Sequence, residues 1–237
     1  MNLKVICDNT RVSWRFAQGW GFSCLVDGRI LFDTGADPRT FFKNALRLKI
    51  DLETIKAVVI SHDHWDHTGG LWEFLKRRPG LEVYGCPMFS EKFKRKVREH
   101  KGCLREKTGA FELTENIFVL GELMTEYKGK PLAEQALVVR TARGTTLITG
   151  CAHPGILNMA RAAQDSFPGE QLSVVLGGFH LLHEGRDTLE KTADQMLSWK
   201  IKKVGPTHCS GRAARRIFKE KYGKEFMRVG AGAVLEI

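Results

Sequence analysis

The segment Ser61-His62-Asp63-His64-Trp65-Asp66-His67-Thr68-Gly69-Gly70 places three histidines and two aspartates within six consecutive positions. Imidazole nitrogens and carboxylate oxygens are the ligands of zinc, iron and manganese sites. Residues 57–60, immediately before it, form a continuous apolar run that reads as a buried strand. If the chain leaves that strand extended, residues two apart point the same way, so His62 and His64 converge on one point. Asp66 and His67 reach a neighbouring point as the chain turns, and Gly69 and Gly70 permit a tight exit. A single buried histidine is usually a core residue with a hydrogen-bond partner. Several ionisable side chains gathered at a strand end call for another explanation, and a metal supplies it.

A metal centre draws on more ligands than one loop offers. Five further histidines stand at 100, 153, 180, 183 and 208. His153, His180 and His208 each lie just past a short apolar run, with Gly or Pro beside them. Strand C-terminal ends are where α/β sheets place active sites, so these three are candidate ligands. His100 falls in a basic amphipathic stretch and reads as a surface residue, while His183 is open to a surface role or a substrate contact.

The elements that must position these groups are legible as alternating strands and helices. Apolar runs at 3–7, 22–26 and 30–32 read as strands, with Asp27-Gly28 as a hairpin turn. A helix pattern covers about 39–48, and another covers 71–76, stopped by Pro79-Gly80. Further strands are expected at 81–84, 117–120, 136–141 and 145–149, the last two joined by a turn at Arg143-Gly144. A helix over 156–166 and a strand over 173–176 follow. Asp187 and Glu190 have capping-box spacing and open a helix to about Trp199; a last helix follows Ser210, and 233–237 closes as a strand. Hairpins mixed with helices argue for a layered α/β sandwich over a simple doubly wound sheet. There is no linker, repeat or low-complexity stretch, so residues 1–237 read as a single domain.

These motifs, in this order, resemble the metallo-β-lactamase superfamily. Phe32-Asp33-Thr34-Gly35 is similar to its first motif, whose aspartate braces the metal loop, and His62-x-His64-x-Asp66-His67 is similar to its signature. Cys151-Ala152-His153-Pro154, Gly177-Gly178-Phe179-His180 and Pro206-Thr207-His208-Cys209 stand in the order of its remaining motifs. The resemblance implies a four-layer αββα sandwich. It implies up to two divalent ions, zinc foremost, with manganese, iron or magnesium as alternatives. His62, His64 and His153 would hold the first, and Asp66, His67 and His208 the second. Asp66 would also help orient the nucleophile. Cys151 and Cys209 would flank the ligands in packing or supporting roles. One departure stands out: many hydrolases of the superfamily carry a metal-bridging aspartate where this chain has His180. A neutral imidazole cannot replace that charge, so His180 is expected either to ligate one ion or to contact substrate. The Gly-Gly-Phe-His-Leu and Thr-His-Cys-Ser-Gly stretches are most similar to the subgroup named for 7,8-dihydropterin-6-methyl-4-(β-D-ribofuranosyl)aminobenzene 5′-phosphate synthase.

The expected function is therefore a metal-dependent hydrolase acting on an anionic or phosphorylated small molecule. The alternative is the synthase, a transferase condensing a dihydropterin diphosphate with an aminobenzene riboside phosphate. The formal charge of +10 over 237 residues favours anionic ligands. It is concentrated in two blocks, one from Lys92 to Lys101 and one from Arg212 to Lys224. In the first, Phe89, Phe93 and Val97 recur every four residues, the buried stripe of a helix whose basic face is solvated. No nucleic-acid motif accompanies the charge, so nucleic acid is not expected as a partner. No run approaches the ~20 apolar residues of a membrane span. The first residues lack a signal-peptide pattern, so a cytoplasmic location is expected. Six cysteines without a C-x-x-C pair read as free thiols.

Overall fold

The apolar runs of the first hundred residues become strands β1 (Asn2–Cys7), β2 (Ser23–Val26), β3 (Ile30–Phe32), β4 (Ala57–Val59), β5 (Glu82–Gly85) and β6 (Cys103–Glu106). Between them lie helices α1 (Pro38–Arg47), α2 (Trp65–Thr68), α3 (Leu71–Arg77) and α4 (Glu91–Glu99). The computed structural model describes all residues, Met1–Ile237. By its internal contacts the chain divides into two compact units, residues 1–108 with 230–236 and residues 109–229 with Ile237.

In the first unit, β1 to β3 run antiparallel and β3 to β6 parallel, in the order in which they occur. Asp27 and Gly28 both take positive φ at the β2–β3 turn, as the sequence predicts. Helix α1 begins where Asp37 accepts the amides of Arg39 and Thr40, with Pro38 in its first turn. Its buried Asn44 donates to the carbonyls of Ile6 and Ala17 and so ties the helix to β1. Ser90 caps α4, and Phe93 and Val97 form its buried stripe. Phe22, Phe32, Phe41 and Phe74 are fully buried here. Each such ring contributes about 1.5–3 kcal/mol relative to exposure.

The second unit contains β7 (Phe111–Thr114), β8 (Ile117–Val119), β9 (Leu123–Tyr127), β10 (Lys130–Glu134), β11 (Leu137–Thr141), β12 (Gly144–Thr149), β13 (Leu172–Gly178) and β14 (Lys203–Thr207). Its helices are α5 (Ile156–Ser166), α6 (Arg186–Ser198) and α7 (Gly211–Tyr222). A final strand, β15 (Val234–Glu236), pairs with β1 and completes the seven-stranded sheet of the first unit. The six-stranded sheet of the second unit has the order β14-β13-β12-β11-β8-β7, with β12, β13 and β14 parallel. Phe118, Leu147, Met159, Val175, Phe179 and Phe218 belong to its core.

Three local expectations change. The helix predicted to open on an Asp187–Glu190 capping box begins two residues earlier, after Gly185, with no side-chain cap. Asp187 therefore lies inside the first turn, where its charge suits the helix N-terminus, and Glu190 pairs with Arg186 at 2.6 Å. The β9–β10 hairpin is not foreseen by the sequence pattern. Its turn is Lys128-Gly129, both at positive φ, and lysine at the first position hides the usual Asn-Gly or Asp-Gly signal. Strands β6 and β7 likewise escape the pattern, because neither carries a buried apolar alternation.

Candidate metal centre

In the first unit the chain bends at Ser61 and His62 just past β4, and an extended His64 leads into α2, which carries Asp66 and His67. The rings of His62 and His64 lie 4.6 Å apart, and those of His62 and His67 lie 4.1 Å apart. His67 Nε2 is 3.8 Å from Asp66 Oδ2. His62 and His67 are fully buried and Asp66 nearly so. Asp33, at positive φ just past β3, organises this cluster. It accepts the Ser61 amide at 2.7 Å, the Ser61 hydroxyl at 2.7 Å and His67 Nδ1 at 2.6 Å. Because the Ser61 proton goes to the carboxylate, His62 Nδ1, 2.9 Å from the same hydroxyl, must be the donor there. Both imidazoles are thus held with protonated Nδ1, which makes Nε2 the basic nitrogen of each ring. Burial pushes the Asp33 carboxyl up, against the lowering effect of the His67 charge and hydrogen bond and the Ser61 donors.

The loop is strapped down by its backbone. The Thr34 amide and hydroxyl both donate to the His67 carbonyl, and the Gly69 amide donates to the Gly35 carbonyl. A Cβ at Gly69 would collide with the Ala36 carbonyl, so the Gly69-Gly70 exit serves close approach of two backbone segments.

In the second unit, β12, β13 and β14 end in the segments that carry His153, His180 and His208. A buried carboxylate that the sequence motifs do not reveal organises them. Glu134, the last residue of β10, accepts the amides of Cys151, Ala152 and His153 at 2.8–2.9 Å and His153 Nδ1 at 2.9 Å. Burial opposes its ionisation. The bond and charge of His153, with the amides, override that and hold it at about 2. Its only sequence signal is a Glu-Gln pair interrupting the apolar stretch from Leu132 to Val139. Ala152, His180 and His208 all adopt positive φ, a conformation that costs non-glycine residues of order 1–3 kcal/mol and clusters at functional sites.

The His153 and His180 rings lie 4.4 Å apart, with Tyr127 edge-on to both at 4.9 and 5.9 Å. Cys151 Sγ and one ring nitrogen each of His153 and His180 lie within 4.8 Å of one another; so do Cys151 Sγ, His208 and Cys209 Sγ. His180 Nδ1 is buried without a hydrogen-bond partner. A hydrogen bond to Cys209 raises the His180 pKa against the effect of burial. The two remaining histidines stand apart from these groups. His100 follows the end of α4 and bonds the Lys96 carbonyl, and His183 is exposed.

These residues fit a divalent metal. His67 and His153 each give Nδ1 to a buried carboxylate, the carboxylate–histidine pairing that orients metal ligands. A cation would satisfy the buried His180 Nδ1 and suit the crowded imidazoles around it.

Beside the loop, the first unit has a cavity of about 360 Å³ lined by Trp65, Trp72, Phe93, Ser90, Lys92 and Lys96. Lys96 Nζ sits 4.1 Å over the Trp72 ring, and burial with the neighbouring Lys92 charge lowers its pKa. Part of the basic surface is locally paired, as in Lys94–Glu106 at 2.7 Å and Lys221–Asp194 at 2.5 Å. No helix is long and apolar enough to cross a membrane.

Among curated proteins, the chain is 26% identical to the 7,8-dihydropterin-6-methyl-4-(beta-D-ribofuranosyl)-aminobenzene-5'-phosphate synthase of Methanocaldococcus jannaschii, over 89% of this chain and 85% of that one. Among solved structures, it matches Tm1679, described as a metal-dependent hydrolase of the beta-lactamase superfamily. That match has a TM-score of 0.84 and 32% identity, over 100% of this chain and 99% of the other. YhfI of Bacillus subtilis, a metallo-beta-lactamase fold protein, shares the fold at a TM-score of 0.71 and 15% identity, over 99% of each chain. The family model of the metallo-beta-lactamase superfamily matches residues 23–208, a span that runs from β2 through the histidine loop to His208. With that match, two large sheets with their helices and the ordered histidine motifs, the chain belongs to the metallo-β-lactamase superfamily.

Proposed function

We propose that this protein is a metal-dependent hydrolase of anionic small molecules, with zinc as its foremost metal and a cytoplasmic location. The observation that carries this reading is the pair of buried carboxylate–histidine contacts, Asp33–His67 and Glu134–His153. The assigned ligands are His62, His64, Asp66, His67, His153, His180 and His208. Divalent ions bound by these residues would supply Lewis acidity and a water nucleophile at neutral pH. Asp66 would help orient that nucleophile through its carboxylate, and His180 would contact the substrate oxyanion where it does not ligate an ion. Lys92 and Lys96 attract the substrate anion, and Trp65 and Trp72 offer faces to a flat ring. The 32% identity to a protein described as a metal-dependent hydrolase supports the reaction class.

A second reading is the synthase, favoured by the similarity to the Methanocaldococcus enzyme and by the aromatic and basic lining of the cavity. There the leaving group is diphosphate and the nucleophile is an aromatic carbon, so the site must exclude water.

One experiment separates them. Metal-loaded protein is mixed with dihydropterin-methyl diphosphate and ribofuranosyl aminobenzene 5′-phosphate, and the products are analysed by mass spectrometry beside a His64→Ala control. Diphosphate released with only the hydroxymethyl pterin supports hydrolysis. A coupled product that the control lacks replaces that reading with the synthase. On a panel of phosphodiesters, lactones and esters, turnover must vanish in His64→Ala while the fold is retained; unchanged turnover removes the assignment.

A further inference from the structure

The family resemblance leads one to look for a bridging aspartate, and His180 occupies its place. The second unit offers a different anion. Cys151 Sγ is the one atom common to its two candidate ligand groups, one with His153 and His180 and the other with His208 and Cys209. Donors around one tetrahedral zinc, at about 2.0–2.1 Å for nitrogen and 2.3 Å for sulfur, stand roughly 3.3–3.8 Å apart. Groups whose donors already lie within 4.8 Å of one another close on an ion with small side-chain movements.

The position of this sulfur is built, not incidental. Cys151 is 4% exposed, and its amide is fixed on Glu134 at 2.9 Å. Ala152, at φ 62°, turns the chain so that Cys151 and His153 belong to one group. A Cβ at Gly178 would sit 3.0 Å from Cys151 Cα and 2.7 Å from Cys209 Sγ, so the glycine leaves room for both. Cys209 Sγ has a protein partner of its own, the Cys151 carbonyl at 3.4 Å.

We propose that Cys151 is a metal ligand, its thiolate shared between the His153–His180 group and the His208 group in place of a bridging aspartate. This rests on the reading that these histidines hold metal. As the sulfur–metal bond forms, the S–H bond breaks and the proton leaves to solvent, so Cys151 brings the negative charge that an imidazole lacks. A soft ligand also selects zinc or cobalt over magnesium.

Cobalt(II) substitution of the full chain tests this. Metal content and the visible ligand-field bands report binding, and a near-ultraviolet sulfur-to-cobalt charge-transfer band reports thiolate ligation. The expected result is a band in the wild type, lost in Cys151→Ser and kept in Cys209→Ser. Bound cobalt without the band, a band that survives Cys151→Ser, or one lost only in Cys209→Ser overturns the proposal. Failure to retain any cobalt removes the metal reading together with it. Should Cys151→Ser not fold, X-ray absorption of the zinc-loaded wild type decides. A sulfur scatterer at about 2.3 Å is expected, and a shell of nitrogen and oxygen alone overturns the assignment.

Discussion

Asp33 and Glu134 are both fully buried, and both hold the Nδ1 of a candidate ligand, yet their acidities move apart. Asp33 receives one amide, one hydroxyl and His67, and burial still pushes its carboxyl up. Glu134 receives three consecutive amides and His153, and settles at about 2. Burial penalises both anions; the nest of aligned N–H dipoles tips the balance for one of them. The two braces therefore differ in what they stabilise. Glu134 holds a backbone loop together as well as an imidazole, whereas Asp33 acts mainly on side chains whose backbone is strapped independently through Thr34 and Gly69.

Removing the carboxylate that holds a backbone should cost more than removing the one that does not. Glu134→Ala leaves three buried amides and His153 Nδ1 without their acceptor. Losing one partner of such a buried, charged contact costs about 3–5 kcal/mol, a large share of the 5–15 kcal/mol that stabilises a typical domain. Urea unfolding should show that loss, with Glu134→Gln less affected because one acceptor oxygen remains. A midpoint equal to that of the wild type would mean that the Cys151–His153 turn holds itself.

The same contrast explains which parts of the molecule are legible in its sequence. The first candidate ligand set lies within six residues, and Asp33 sits in a motif, so local spacing alone reveals it. The second set is assembled from the ends of three parallel strands. His153, His180 and His208 are visible because each follows an apolar run, and the parallel pairing of β12, β13 and β14 brings those runs side by side. Glu134 is not visible. It ends a strand of an unforeseen hairpin, and nothing local marks it as the partner of a turn 17 residues later. Tyr127 is hidden for the same reason. Local spacing also hides that Cys151 Sγ lies within 4.8 Å of ring nitrogens of His153 and His180.

Asp33→Asn probes the side-chain brace and should act on metal more than on fold. The amide oxygen can still accept from Ser61, but an NH2 group facing His67 favours the tautomer that accepts at Nδ1 and protonates Nε2. The nitrogen meant for the metal is then blocked. Loss of such a supporting contact weakens metal affinity by roughly 10–100-fold, measurable by chelator competition. A change below about threefold, under the low edge of that expectation, would show that His67 is oriented by something other than Asp33.

Acid titration of the metal-free protein should separate the braces again. Asp33, raised above its ordinary 3.8, takes up its proton first as pH falls. A raised carboxyl favours the folded state at low pH and loses that contribution as pH rises through its folded pKa, so its protonation costs the fold little. Glu134, depressed from 4.5 to about 2, gives the opposite sign. Its stabilisation is present above 4.5 and drains away as pH falls toward about 2. Imidazole nitrogen shifts should therefore report loss of the His67 contact at higher pH than loss of the His153 contact. Simultaneous loss would mean that the amide nest does not discriminate between the two carboxyls.

The smallest effect belongs to a residue that neither brace holds. Trp65 sits between His64 and Asp66, yet its side chain is 65% exposed and forms one wall of the lysine-bearing cavity. Trp65→Ala removes no buried packing, so stability should stay within about 0.5 kcal/mol. An aromatic contact with a flat substrate contributes about 0.5–1.5 kcal/mol, which corresponds to a roughly two- to tenfold rise in KM. If the ring only binds substrate, kcat and metal affinity stay unchanged. A fall in metal affinity would instead place Trp65 among the groups that shape the loop, and the separation between a braced metal side and an open substrate side would fail at that residue.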